Sequence, residues 1–204
     1  MKLFVSTVSP FGRLAMTSAL AAGIEELEIS VVNPWANPVA LESVNPFSQV
    51  PTLVTDGGTT LIETLVIARR FLGDDFLKND GEAATAGYAT ILLDQLVKYY
   101  SVGRDQPKEA TVHPHIARAK NAIIRALAKA PRFEPESERF SQLALGIAFD
   151  YVLLRAPDVY PVHLSEENRQ KMKTFTARPW LRATSPAWLE EHMPTSLAEL
   201  RAVK

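Results

Sequence analysis

Gln49-Val50-Pro51-Thr52-Leu53-Val54-Thr55-Asp56-Gly57-Gly58-Thr59-Thr60-Leu61-Ile62-Glu63-Thr64 reads as two strands joined by a turn and followed by the start of a helix. Thr, Val, Leu and Ile fill both flanks, the residue types that fit a pleated surface, and Asp56-Gly57 between them is the strongest short signal for a β-hairpin. Pro51 has no N–H to give a sheet ladder, so it belongs at the first residue of a strand or on an edge. Val50 is then left exposed. If the Val50–Pro51 bond is cis, which X–Pro permits, the N–H and C=O of Val50 face outward and pair with an extended peptide, a one-residue form of β-augmentation.

At the far end of the stretch, Glu63-Thr64 precedes the apolar run Leu65, Val66, Ile67, Phe71 and Leu72, which makes Thr64 the expected N-cap of a helix. The free N–H groups of a first helical turn favour an anion. A small peptide on the hairpin edge therefore places a carboxylate at Thr64 and an ammonium group near Glu63. The ligand these residues imply is a zwitterionic peptide.

Upstream, residues 2–6 alternate as a strand, and Ser9-Pro10 opens a helix through Phe11, Leu14, Ala15, Ala21 and Ala22 that closes at Gly23. Ser at the cap, Pro at the first helical position and Gly at the end agree with one another. Leu27, Ile29 and Val31 alternate as a second strand, and residues 33–48, with three Asn-Pro steps, form a loop with room for a short helix. A βαβ unit, a hairpin and a helix in that order is a thioredoxin-like α/β domain, expected over residues 1–76. The polar stretch Gly73 to Gly81 reads as a linker. Beyond it, Tyr88, Leu92, Leu96 and Tyr99, then Ile116, Ala119, Ile123 and Leu127, then Phe140, Leu143, Ile147, Tyr151 and Leu154 all recur at helical period. Asp150 is the only charge in the third run, so that helix is expected to be buried all round. Residues 82–204 are therefore expected to form an all-α helical bundle, with the tail from Pro186, carrying Trp188, Leu189 and Leu197, a helix packed on its surface.

Composition narrows the functional classes. The 204 residues are 47% hydrophobic and 22% charged with a net charge of −1 and no basic run, so neither nucleic acid nor an acidic membrane is an expected partner. No apolar stretch reaches the ~20 residues of a membrane helix. The run Leu14 to Ile24 is flanked or interrupted by Arg13, Thr17 and Ser18, which fits an amphipathic helix better than a secretion signal, and a cytoplasmic protein is expected. There is no cysteine, which removes disulfides, thiolate metal sites and a cysteine nucleophile. His113-Pro114-His115 has no acid or thiol cluster at ligand spacing and reads as a turn before a helix, and no metal is expected.

Asn45-Pro46-Phe47-Ser48-Gln49-Val50-Pro51 followed by Ile62-Glu63-Thr64 resembles the N-terminal domain of the glutathione S-transferase superfamily. Met1 to Arg13, with Ser9-Pro10-Phe11, is similar to the opening of bacterial members with a Ser-Pro-Phe start, and Ala177-Arg178-Pro179-Trp180 is similar to the end of the last main helix in the family. Two departures stand out. Gln49 occupies a place where Lys is commoner, trading a charge for an amide donor towards the glycine carboxylate of glutathione, and Ser141-Gln142-Leu143-Ala144 puts Ala144 where an Asp usually completes a capping box. The resemblance implies glutathione as co-substrate, no prosthetic group, a homodimer, and a role in detoxification. It implies glutathione contacts from Ser9, Phe11, Gln49, Val50, Pro51, Glu63 and Thr64.

Members that reduce disulfides use a protein thiol, so here the chemistry must use the ligand's own thiol. A free thiol near pKa ~8.5 is only a few per cent ionised at neutral pH, and Ser9 offers a hydroxyl donor at the positive end of a helix dipole. Lowering the pKa by ~2 units corresponds to roughly 2.7 kcal/mol of thiolate stabilisation. Ser9 is the expected catalytic residue, against the reading in which it only caps its helix. Tyr99, Tyr100 and Arg104 either line a pocket for a small hydrophobic electrophile or pack a helix end. Two alternatives stand beside a conjugating transferase: a non-catalytic regulatory or interaction module, and a glutathione-dependent lyase or isomerase using the same site.

Overall fold

A continuous apolar run at the start of the chain builds a central strand, β1 (Lys2–Val5). Leu3, Phe4 and Val5 are all buried, and since alternate side chains point to opposite faces, both faces of this strand are covered. The computed structural model describes residues 1–104, 106 and 111–203. They fall into two compact units: Met1–Lys78 with Glu138–Phe140 and the chain from Thr176 on, and Asn79–Ser137 with Ser141–Phe175.

The first unit holds a four-stranded mixed sheet. Its order is β2-β1-β3-β4, where β2 is Glu28–Val31, β3 is Thr52–Val54 and β4 is Thr60–Ile62. β1 pairs in parallel with β2, across the helix α1 (Pro10–Ala21), and antiparallel with β3, which pairs antiparallel with β4. A short α2 (Val39–Glu42) precedes the hairpin and α3 (Thr64–Leu72) follows it. This is the thioredoxin-like order expected from the sequence. In the hairpin, Gly58 N–H donates to the Thr55 carbonyl and Gly58, not Gly57, takes the positive φ of 77°, as in a three-residue loop whose last residue is left-handed.

The C-terminal segment belongs to this sheet unit. Helices α9 (Pro179–Ala183), α10 (Pro186–His192) and α11 (Leu197–Arg201) bring Leu189, Leu197 and Leu200 into one core with Leu3, Val5, Met16, Ile29 and Ile67. The tail is helical and packed, as expected, and the core that receives its leucines is that of the sheet unit. Just before α11, Ile29 N–H donates to the Thr195 carbonyl and Leu197 N–H to the Leu27 carbonyl. That pairing covers the outer edge of β2, which would otherwise present unpaired backbone groups.

The second unit is helical: α4 (Asp80–Arg104), α5 (Pro114–Leu127), most of α6 (Phe140–Arg155), α7 (Tyr160–His163) and most of α8 (Glu166–Ala177). In α6 every residue from Phe140 to Phe149 is buried, as the apolar run predicts, but Leu153 and Leu154 are 46% and 45% exposed. The helix leaves the core in its last turn. In the first turn of α6, Gln142 ties down the preceding loop, its Oε1 accepting from Glu134 N–H at 2.9 Å and its Nε2 donating to the Arg132 carbonyl.

Candidate functional site

Strand register brings the segments that carry Ser9, Val50-Pro51 and Glu63-Thr64 to one end of the sheet. Phe4, Thr52 and Ile62 stand side by side on β1, β3 and β4. Beyond Phe4 the chain runs to Ser9, ahead of Thr52 lie Val50 and Pro51, and after Ile62 come Glu63 and Thr64. Because β3 runs against both neighbours, all three segments emerge at the same end, one strand spacing of about 4.8 Å from the next. The Val50–Pro51 peptide is cis.

Ser9 is the N-cap of α1, and its Oγ accepts from Gly12 N–H at 3.1 Å. That bond fixes the oxygen while leaving the hydroxyl hydrogen free to donate. Pro10 has no N–H, Arg13 N–H is taken by the Ser9 carbonyl, and among the described residues no acceptor takes the N–H of Phe11. Two donors, the Ser9 hydroxyl and the Phe11 amide, therefore stand at the positive end of α1. Capping and donation are compatible at Ser9 because they use the oxygen and the hydrogen separately.

At the start of α3 the cap is Glu63, not Thr64. Glu63 Oε2 accepts from Leu65 N–H at 2.9 Å, and its carbonyl accepts from Ile67 N–H. A carboxylate next to Thr can take the cap because it reaches a first-turn amide and favours the dipole. Thr64 becomes the first helical residue and is buried. Its N–H and that of Val66 have no acceptor among the described residues, so the turn still offers donors to an anion. Glu63 sits at φ 77°, ψ 132°, a conformation that costs a side-chain-bearing residue about 1–3 kcal/mol and clusters at functional sites.

Two residues without an assigned role in the sequence support this end of the sheet. Asn45 is buried beneath the Val50 segment, bonded to Gln49 and Thr52. Arg13, one turn into α1, is also buried, and its guanidinium donates to the Leu181 carbonyl at 3.0 Å, tying α1 to α9. A charged residue inside an apolar helical run was the available signal for Arg13.

Tyr99, Tyr100 and Arg104 lie in the last turns of α4, in the second unit. The Arg155 guanidinium covers the Tyr100 ring at 3.8 Å, and Arg155 Nε donates to the Tyr151 hydroxyl at 3.3 Å. Burial pushes the Tyr151 hydroxyl above its ordinary pKa, against the pull of Arg155. Tyr99 is half-buried and Arg104 exposed. The His113 and His115 rings stack at 5.2 Å, and His113 Nδ1 accepts from His115 N–H. Among the described residues no group of three or more His, Cys, Asp or Glu side chains is placed to hold a metal ion, and no helix is long and apolar enough to cross a membrane.

Residues 8–72 match the family of the glutathione S-transferase N-terminal domain. Over that span the chain carries a glutathione S-transferase N-terminal domain. Its fold is that of solved glutathione transferases. A glutathione transferase family member from Pseudomonas fluorescens Pf-5, with bound S-(propanoic acid)-glutathione, superposes with a TM-score of 0.75 at 20% identity, over 91% of this chain and 99% of the other. A glutathione S-transferase from Methylobacterium radiotolerans, complexed with glutathione sulfonate, gives 0.77 at 18% identity over 91% and 94%. One from Methylobacillus flagellatus, with GSH bound, gives 0.72 at 19% over 91% and 98%. A comparison with curated proteins gives no match.

Proposed function

We propose that the protein is a glutathione transferase that ionises the thiol of glutathione and directs it at a small hydrophobic electrophile. The observation that carries this reading is the convergence of a hydroxyl-capped helix start, a cis-proline strand entry and a second helix start at one end of the sheet. The bound glutathione and glutathione derivatives in structures of this fold support it.

In this reading Val50, ahead of Pro51, pairs through its N–H and C=O with the backbone of the cysteinyl residue. The α-carboxylate of the γ-glutamyl end meets the N–H groups of Thr64 and Val66, and its ammonium meets the Glu63 carboxylate. Gln49 gives an uncharged donor to the glycine carboxylate. The cysteinyl sulfur then lies at the start of α1. When the thiol loses its proton to solvent, Ser9 Oγ–H and Phe11 N–H donate to the thiolate, whose charge the helix dipole also favours. The thiolate attacks an electrophilic carbon, a C–S bond forms, and the leaving group departs with the bonding pair. Tyr99, Tyr100 and Arg104 are proposed as electrophile contacts.

No prosthetic group takes part in this scheme. The family resemblance supports a cytoplasmic homodimer with a detoxifying role. Conjugation of reduced glutathione to a panel of aryl halides and epoxides tests the reading: turnover that falls by about 100-fold in Ser9→Ala, for a transition-state donor worth roughly 2.7 kcal/mol, is expected. Turnover equal in the two proteins removes Ser9 from the mechanism.

A further inference from the structure

The loop between α2 and β3 has little apolar packing of its own. Pro46, Phe47 and Gln49 are exposed, while Ser48 and Val50 are half-buried. A polar triangle beneath it supplies the anchorage. Asn45 Nδ2 donates to the Gln49 carbonyl at 3.0 Å and to the Thr52 hydroxyl at 2.8 Å, and that hydroxyl donates to the same carbonyl at 2.7 Å. Both amide hydrogens of Asn45 and both lone pairs of the Gln49 carbonyl are thereby used. On the other side of the amide, Asn45 Oδ1 accepts from Phe47 N–H at 3.0 Å, and the Asn45 carbonyl accepts from Ser48 N–H at 3.0 Å. Ser48 sits between these bonds at a left-handed φ of 48°.

Asn45 and Thr52 are 2% and 0% exposed, so water does not compete for these groups and each bond counts for more than at a surface. Thr52 belongs to the sheet, opposite Phe4 and Ile62. The triangle thus ties the Gln49 carbonyl, one peptide ahead of Val50, to the sheet row from which Ser9 and Glu63 also diverge. An Asp at position 45 has no amide hydrogens and aims an oxygen at the Gln49 carbonyl. An Ala leaves that carbonyl with the Thr52 hydroxyl alone.

We propose that Asn45, acting through Thr52 and the Gln49 carbonyl, is the positioning residue for the Val50 backbone, and that it governs peptide affinity separately from thiol activation; this rests on the glutathione reading above. Asn45 touches no ligand. It sets where Val50 presents its N–H and C=O, whereas the thiolate is held at the start of α1, which Asn45 does not contact.

Titration with S-methylglutathione, which has no ionisable thiol, isolates the affinity component. Asn45→Ala is expected to bind it at least about tenfold more weakly, the loss corresponding to one or two buried hydrogen bonds. Thr52→Ser keeps the hydroxyl and is expected to stay within about twofold of the original protein, whereas Thr52→Val removes the relay and weakens binding in the same direction as Asn45→Ala. The pH midpoint of thiolate absorbance for bound reduced glutathione is expected to be the same in Asn45→Ala and the original protein. Amide exchange is expected to quicken at Phe47 and Ser48 while Leu3–Val5 keep their protection, which separates local loosening from failure to fold. Unchanged binding in both Asn45→Ala and Thr52→Val overturns the positioning role. So does weak binding accompanied by lost protection across Leu3–Val5, or a displaced thiolate midpoint. Original protein that binds no S-methylglutathione overturns the glutathione reading, and the positioning role with it.

Discussion

Replacing Tyr88 with Phe removes a hydroxyl that is buried in the helical unit without a hydrogen-bond partner among the described residues. The variant is expected to match the original protein in a thermal melt at neutral pH, or to gain up to about 1 kcal/mol. The same burial pushes Tyr88 up to about 12 from an ordinary 10.0. The folded state therefore holds this proton more tightly than the unfolded state, so stability is intact below pH 10 and declines as pH rises from 10 towards 12. Tyr88→Phe removes that part of the alkaline decline. Gly146 shows the opposite constraint. A Cβ there meets the Phe175 ring at 2.4 Å, and that ring is fully buried and packed edge-on against Phe133 at 5.5 Å. Gly146→Ala is expected to cost about 1–3 kcal/mol, read as a lower urea midpoint at unchanged m. Neither residue announced itself in the sequence, because both effects depend on what another element brings into contact. Ser9 was legible because capping is local: Ser-Pro before an apolar run states its own geometry.

At the scale of elements, the strands and helices of the sheet unit follow from alternation and turn chemistry, and their order was legible for that reason. The details that shifted are those where two neighbours compete for one role. Gly57 and Gly58 both tolerate a left-handed conformation, and the hydrogen bond to Thr55 selects Gly58. Glu63 and Thr64 both cap helices, and Glu63 takes the position. Helix α11 carries an acid-sensitive contact. The Thr195 hydroxyl, then the Thr195 amide and the Ser196 hydroxyl, donate to Glu199 and hold its carboxyl below the ordinary 4.5. A depressed carboxylate contributes stability above its unfolded pKa and loses it as pH falls through the folded value. Protection of the Leu197 amide, relative to its intrinsic exchange rate at each pH, is therefore expected to fall below pH 4.5, and Glu199→Gln to remove that pH dependence.

Across the whole molecule, the chain from Thr176 on clusters with the sheet unit although helices of the other unit separate the two in sequence. Periodicity shows that Leu189, Leu197 and Leu200 form an apolar face. It says nothing of which core receives that face, and so the destination of the tail was not legible. Deleting residues 194–204 removes Leu197 and Leu200 from the core and exposes the edge of β2. With buried Leu truncations costing about 2–5 kcal/mol each, and total stabilities of about 5–15 kcal/mol, the melting temperature is expected to fall by roughly 10 °C or more in calorimetry. A melting temperature unchanged by the deletion contradicts this account of the tail.

On the proposed function, the start of α1 makes a thiolate of bound glutathione. Its most direct test is the pH dependence of thiolate absorbance in the saturated complex, for the original protein and for Ser9→Ala. The expected result is a midpoint about 2 units below that of free thiol at ~8.5, returning towards the free value in Ser9→Ala. A complex that forms with an unshifted midpoint, or a shift that survives in Ser9→Ala, contradicts it.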